Sequence, residues 1–213
     1  FLRKLYPMMK EMTKMLMAIM EEGEDGKLHF PWTMSAEFPP HTNGLKTRKK
    51  YENRFGPDAT CDIAYTKWMC EKLLEAKGIL GIKDEEEAEK WQYTIDHIAD
   101  FTYDAFGGLM VRADQPYNES HRHLTHLFPI TQTYQITYDN EEGKKIIDNS
   151  IHALKVFGTG EWMGWAFSET AKIALLSEKP GMAEQLIHEY CDKFVFPNTM
   201  DTDGSRYGCS FGF

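Results

Sequence analysis

The segment Ser120-His121-Arg122-His123-Leu124-Thr125-His126-Leu127-Phe128 packs three histidines and an arginine into six residues, ahead of an apolar run. Imidazole and guanidinium groups are costly to crowd together unless something anionic or rich in hydroxyls sits opposite them. The stretch therefore reads as the wall of a polar pocket at the start of a helix. A candidate for the opposite wall is Glu37, within Phe30-Pro31-Trp32-Thr33-Met34-Ser35-Ala36-Glu37-Phe38. Apolar neighbours disfavour a charged carboxylate, so this environment suits a proton donor. The plainer alternative is a surface loop acid.

Three chemistries are open to these residues. His121 and His123 could both reach a cation, with His126 one helical step further. Zinc, however, needs three or four ligands with ordered outer partners, and Arg122 is a poor neighbour for a dication. Ser120 as a nucleophile lacks the surrounding glycines of a nucleophile elbow. Sugar chemistry fits better. Carbohydrate sites combine aromatic platforms with Arg, His, Asn and carboxylates that hydrogen-bond hydroxyls, and Trp32, Trp162 and Trp165 stand beside glycines or loops. Glycoside hydrolysis needs one protonated carboxyl group for the leaving oxygen and a second group to direct water or attack. Glu37 is the candidate acid. Asp203, in Asp201-Thr202-Asp203-Gly204, is a weaker partner whose spelling equally suits an Asx turn.

The scaffold must hold these loops together. The chain has 213 residues, 42% of them hydrophobic and 13% aromatic, enough for a buried core in one or two domains. A net charge of −9 argues against binding to nucleic acid or anionic membranes, which needs a basic face. No apolar run approaches the roughly 18 residues of a membrane span. Cys61, Cys70, Cys191 and Cys209 show no CxxC spacing and read as ordinary buried thiols. Phe1 opens directly on an amphipathic helix and Phe213 closes on an apolar end, which suggests a segment of something longer.

Apolar positions Leu5, Met8, Met9, Met12, Met15, Leu16 and Ile19 predict a helix over 2–20 with one buried face. Residues 21–27 form a solvated turn. Residues 28–57, with Pro39-Pro40 and Asn43-Gly44, form a long irregular stretch of the kind that often carries function. Asp58 or Thr60 caps a helix to Ala76, broken by Gly78 to Gly81. A helix with an acidic first turn spans 84–101, and a second loop, 107–118, delivers the chain to the histidines. Helices follow over about 123–133, from Asp139 or Asn140 to Phe157, over 162–176 and over 180–193, before a loop-like end. This helix–loop succession, almost without period-two alternation, predicts an all-α bundle, solenoid or toroid.

In this order the motifs resemble the catalytic domain of glycoside hydrolase family 95, the inverting 1,2-α-L-fucosidases and relatives. Trp32-Thr33-Met34-Ser35-Ala36-Glu37 resembles the segment ending in Ser-Pro-Glu, with Ala36 for proline; Thr60-Cys61-Asp62-Ile63 resembles the Thr-Met-Asp helix start. His121-Arg122-His123-Leu124-Thr125-His126-Leu127 resembles His-Arg-His-x-Ser-His-Leu, and Gly164-Trp165-Ala166-Phe167 resembles part of Thr-Gly-Trp-Ser, with Met163 for threonine.

The resemblance implies part of an (α/α)6 toroid, about half of its helices, over residues 1–213 of a longer enzyme. It implies Glu37 as general acid and Arg122 and His123 as sugar contacts, with His126, Trp32 and Trp165 in the same substrate-binding set. The water-directing asparagine is expected upstream of this chain and the helper aspartate beyond Phe213. No metal and no cofactor are implied. The partners are an oligosaccharide substrate and the rest of the same polypeptide, in a periplasmic or secreted setting. A non-catalytic glycan- or protein-binding module, or another toroidal glycosidase or phosphorylase, is the competing expectation.

Overall fold

A computed structural model describes residues 1–38, 55–83 and 85–201. Seven α-helices lie among them: α1 (Leu2–Ala18), α2 (Thr60–Leu80), α3 (Glu85–His97), α4 (Phe128–Thr131), α5 (Glu141–Phe157), α6 (Gly164–Leu176) and α7 (Pro180–Phe194). A two-stranded hairpin, β1 (Glu21–Glu22) against β2 (Leu28–His29), follows α1. The fold is all-α and forms part of an (α/α)6 toroid. Helices α2, α4 and α6 touch in succession, while α1 and α3 pack on α2 and α7 packs on α6. No helix among the described residues is long and apolar enough to cross a membrane.

Two main cores sit in this arrangement, beside a small cluster of Phe30, Ile63, Ile98 and Ala99. The larger gathers Leu124, Leu127, Ile130, Ile147, Leu154, Phe167 and Ile173 between α4, α5, α6 and α7. The smaller joins α1, α2 and α3 through Tyr6, Met9, Leu73 and Trp91. Phe38, from the long loop, belongs to the larger core.

The α1 helix buries Tyr6, Met9 and Thr13, whereas Met8, Met12, Met15 and Ile19 are exposed. One buried face is present, as expected, but Met8, Met12, Met15 and Ile19 are not on it. So many methionines make two stripes of helical period, and the Tyr6 edge on Trp91, 6.4 Å between ring centroids, selects the one that packs.

Neither Asp58 nor Thr60 caps α2 by its side chain; the N-cap is Ala59. Asp58, at φ 51°, instead accepts from the Phe30 N–H at 2.8 Å and pairs with His29 at 2.7 Å. Thr60 is the first residue of the helix and bonds the Val111 and Met110 carbonyls. The helix runs through Gly78 and stops at Gly81, whose φ of 64° closes it with an N–H to the Gly78 carbonyl. An interior glycine costs only about 1 kcal/mol, too little to break a packed helix.

The acidic start of α3 is as expected, but the helix ends four residues early. Ile98 leaves it to bridge Leu28, and the Ala99 N–H bonds the Leu28 carbonyl at 3.0 Å. Asn140 caps α5 by accepting from the Gly143 N–H at 2.8 Å. Cys61 and Cys70 are buried free thiols, but Cys191 is exposed, so it is not the buried thiol expected. Pro39-Pro40, Asn43-Gly44, Asp203 and Cys209 lie outside the described residues.

Candidate functional site

The site forms where residues 33–38, in the first part of the long loop, meet the histidine segment, residues 120–126. The loop is braced from behind. Thr33 and Gly56 exchange backbone hydrogen bonds at 2.8 and 2.9 Å, and the Thr33 hydroxyl accepts from the Ala59 N–H at 3.0 Å. The Ser35 and Thr125 hydroxyls, both buried, share a short hydrogen bond across the two segments. Phe38 then inserts its ring, stacked 4.0 Å from His121 and edge-on to His126 and Tyr117.

These anchors present Glu37 at the rim, its backbone in the left-handed region at φ 56° and its side chain 55% exposed. Such a conformation in a residue with a Cβ costs of order 1–3 kcal/mol and persists only when its surroundings over-determine it. Arg122 Nη2 donates to Glu37 Oε2, and His123 Nε2 lies 3.2 Å from the same oxygen. Arg122 Nε also lies 3.2 Å from His123 Nε2. That nitrogen has one role at a time: bare, it accepts from Arg122; protonated, it donates to Glu37.

The arginine hydrogen bond is the main reason the Glu37 carboxyl is held below the usual carboxylate range, with the charges of Arg122 and His123 adding to it. The apolar flanks led to the opposite expectation, a disfavoured charged form, and that expectation is corrected. Phe38 points inward, and the carboxylate turns outward to a cation that lies 85 residues away in sequence.

His126 is also reassigned. It is 1% exposed, stacked on Tyr117 at 4.8 Å, and burial pushes its imidazole down to about 3. It is a neutral residue of the core. A histidine one helical step from His123 lands on the inward face of the turn at Thr125–Leu127. Trp32 and Trp165 are 75% and 57% exposed, Trp32 at the head of the loop and Trp165 in the first turn of α6. Ser120 ties the segment to the break before α6, donating to the Gly158 carbonyl at 2.9 Å and accepting from the Glu161 N–H at 3.0 Å.

Sequence reasoning missed four groups. Ser35, Phe38 and Thr125 clamp the loops, and His121 reaches the Glu37 backbone. The only advance signal was that a serine and an aromatic stand close to the candidate acid in the chain. Asp62, in the first turn of α2, is the other carboxyl nearby in the chain order of motifs; burial pushes it up to about 6. Its neighbour Cys61 is pushed up to about 12 by burial and also touches Thr125. Among the described residues no group of three His, Cys, Asp or Glu side chains is placed to hold a metal ion.

The family match places this all-α domain, with its carboxylate against an Arg–His pair, in the glycoside hydrolase class. The chain belongs to the glycosyl hydrolase family 95 catalytic domain family, which it matches over residues 1–206. No curated protein matches the chain.

Proposed function

We propose that residues 1–213 are the central part of the catalytic domain of a longer inverting glycosidase. It releases a terminal α-L-fucosyl, or closely related α-L-galactosyl, residue from oligosaccharides. The observation that carries this reading is the convergence of Glu37, Arg122 and His123, from two distant loops, on one oxygen.

Glu37, when protonated, gives its proton to the glycosidic oxygen as the bond from that oxygen to the anomeric carbon breaks. Water attacks the opposite face, and its proton passes to a base supplied from outside these residues. Without substrate, Arg122 keeps Glu37 ionised. Sugar hydroxyls take over the donors of Arg122 and His123 and exclude water, which weakens the pull on Glu37 and raises its pKa. The exposed faces of Trp32 and Trp165 supply the aromatic platforms for the sugar ring.

The test uses the full-length enzyme on fucosyl- and galactosyl-terminated oligosaccharides. Glu37→Gln is expected to lower hydrolysis by about 10²–10⁴-fold, the usual worth of a general acid, while sugar affinity stays within a few-fold. The first-formed sugar is expected as the β-anomer. Unchanged turnover in Glu37→Gln removes Glu37 from the role.

A second reading has one observation in its favour. A carboxylate kept ionised by arginine suits a sugar-binding group as well as an acid, so a non-catalytic glycan-binding module would use the same cluster. Sugar binding with no glycosyl release by the unmodified full-length protein favours that reading.

A further inference from the structure

His121 holds two backbones at once. Its Nε2 lies 3.2 Å from the Glu37 carbonyl oxygen, and its Nδ1 lies 3.0 Å from the His123 amide nitrogen. A carbonyl oxygen only accepts, so Nε2 must carry a proton. In a neutral ring Nδ1 is then bare and accepts from the His123 N–H. The alternative contact of Nδ1, the His123 carbonyl at 3.3 Å, suits only a protonated Nδ1 and therefore a charged ring. The surroundings oppose that charge. Burial comes first, followed by the charges of His123 and Arg122 on the same segment. The Glu37 carbonyl faces the ring from the opposite loop, and Phe38 touches both His121 and neutral His126. Phe38 stacks on the ring at 4.0 Å and fixes its plane.

From this geometry we propose that His121 is a positioning residue for the reaction. As a neutral imidazole protonated on Nε2, it pins Glu37 in its left-handed backbone conformation by one nitrogen and His123 by the other. The acid and one sugar contact are thereby set at a fixed separation by a single rigid ring. Glu37 at φ 56° has no glycine's freedom, so an external hydrogen bond is needed to hold its carbonyl. The inference rests on Glu37 being the acid.

The two functions of the ring separate by substitution in the full-length enzyme. His121→Phe keeps the stack on Phe38 and removes both hydrogen bonds. It is expected to lower kcat about 10²-fold, as a misplacement of about 1 Å does, and to raise KM as His123 loses its support. His121→Gln restores a donor where Nε2 stood and is expected to recover most of the lost kcat while KM stays raised. His121→Asn restores an acceptor where Nδ1 stood and is expected to recover KM while kcat stays low. A purely structural role moves kcat and KM together with thermal stability and shows no such crossed pattern. Independently, nitrogen NMR of the His121 ring in the unmodified enzyme at neutral pH is expected to show Nε2 protonated and Nδ1 bare.

A ring protonated on Nδ1, or three variants with unchanged kcat and KM, overturns the proposal. If Glu37→Gln meanwhile abolishes turnover, the acid assignment stands and only the role of His121 falls. If Glu37→Gln leaves turnover intact, the acid assignment falls first.

Discussion

Arg122 sets how Glu37 titrates before substrate arrives, and two predictions follow from the groups around it. Arg122→Met removes the hydrogen bond that lowers the Glu37 pKa, so that value rises toward 4.5, and carboxyl NMR in the free enzyme reads the change. A hydrogen bond to a charged group is worth about 1.5–3 kcal/mol, so losing it toward the sugar raises KM roughly ten- to hundred-fold. His126 makes the opposite kind of contribution, through stability. Its folded pKa is depressed to about 3 from 6.5 by burial. Below pH 6.5 the unfolded chain binds a proton that the folded chain refuses. Stability therefore falls as pH drops, by up to about 1.4 kcal/mol per unit, until the folded value is reached. Urea midpoints at pH 7.5 and 5 measure this. His126→Phe, which keeps a ring against Tyr117, is expected to flatten the slope between those pH values.

Helix α5 shows where an element's start depends on what lies next to it. Asn140 accepts from the Gly143 N–H at 2.8 Å, so Asn140→Ala is expected to cost about 1 kcal/mol, read as a lower melting temperature. Gly143 is the sharper case. Intrinsic propensity favours alanine over glycine inside a helix by about 1 kcal/mol. Here a Cβ at Gly143 would stand 2.0 Å from the Thr137 carbonyl oxygen, which is backbone and has no side-chain freedom to yield. Gly143→Ala is therefore expected to destabilise more than Asn140→Ala, and an equal or higher melting temperature contradicts this. The same contrast separates α1 from α2. Apolar spacing and cap signals located both helices, while packing chose the buried stripe of the first and carried the second past Gly78.

Phe38 makes the site and the core one structure. It packs in the large core between α4 and α7, yet it follows the candidate acid directly in the chain. Its loop is anchored at the other end beside α2 through Thr33, Gly56 and Ala59. The loop thus ties the large core to the start of α2 where Glu37 emerges. Phe38→Ala removes a buried aromatic, for which about 3–5 kcal/mol is the usual cost. The expected result is loss of stability together with weakened sugar affinity, since the same ring orients His121. Calorimetry and a sugar titration on the full-length enzyme test the two halves. Retained affinity with lowered stability would detach the loop from the core.

The rough places of the helices, a cap at Asp139 or Asn140 and the basic cluster were legible in the sequence because they depend on neighbours within a turn or two. The histidine segment was also legible as a polar wall, since its charges are adjacent in the chain. Three features were decided only by the tertiary structure. Arg122, not the apolar flanks, governs Glu37; His126 faces the core; and His121 holds a backbone 84 residues away. Each depends on which face of a short irregular segment turns inward. Periodicity is silent there, and contacts across the fold settle the matter.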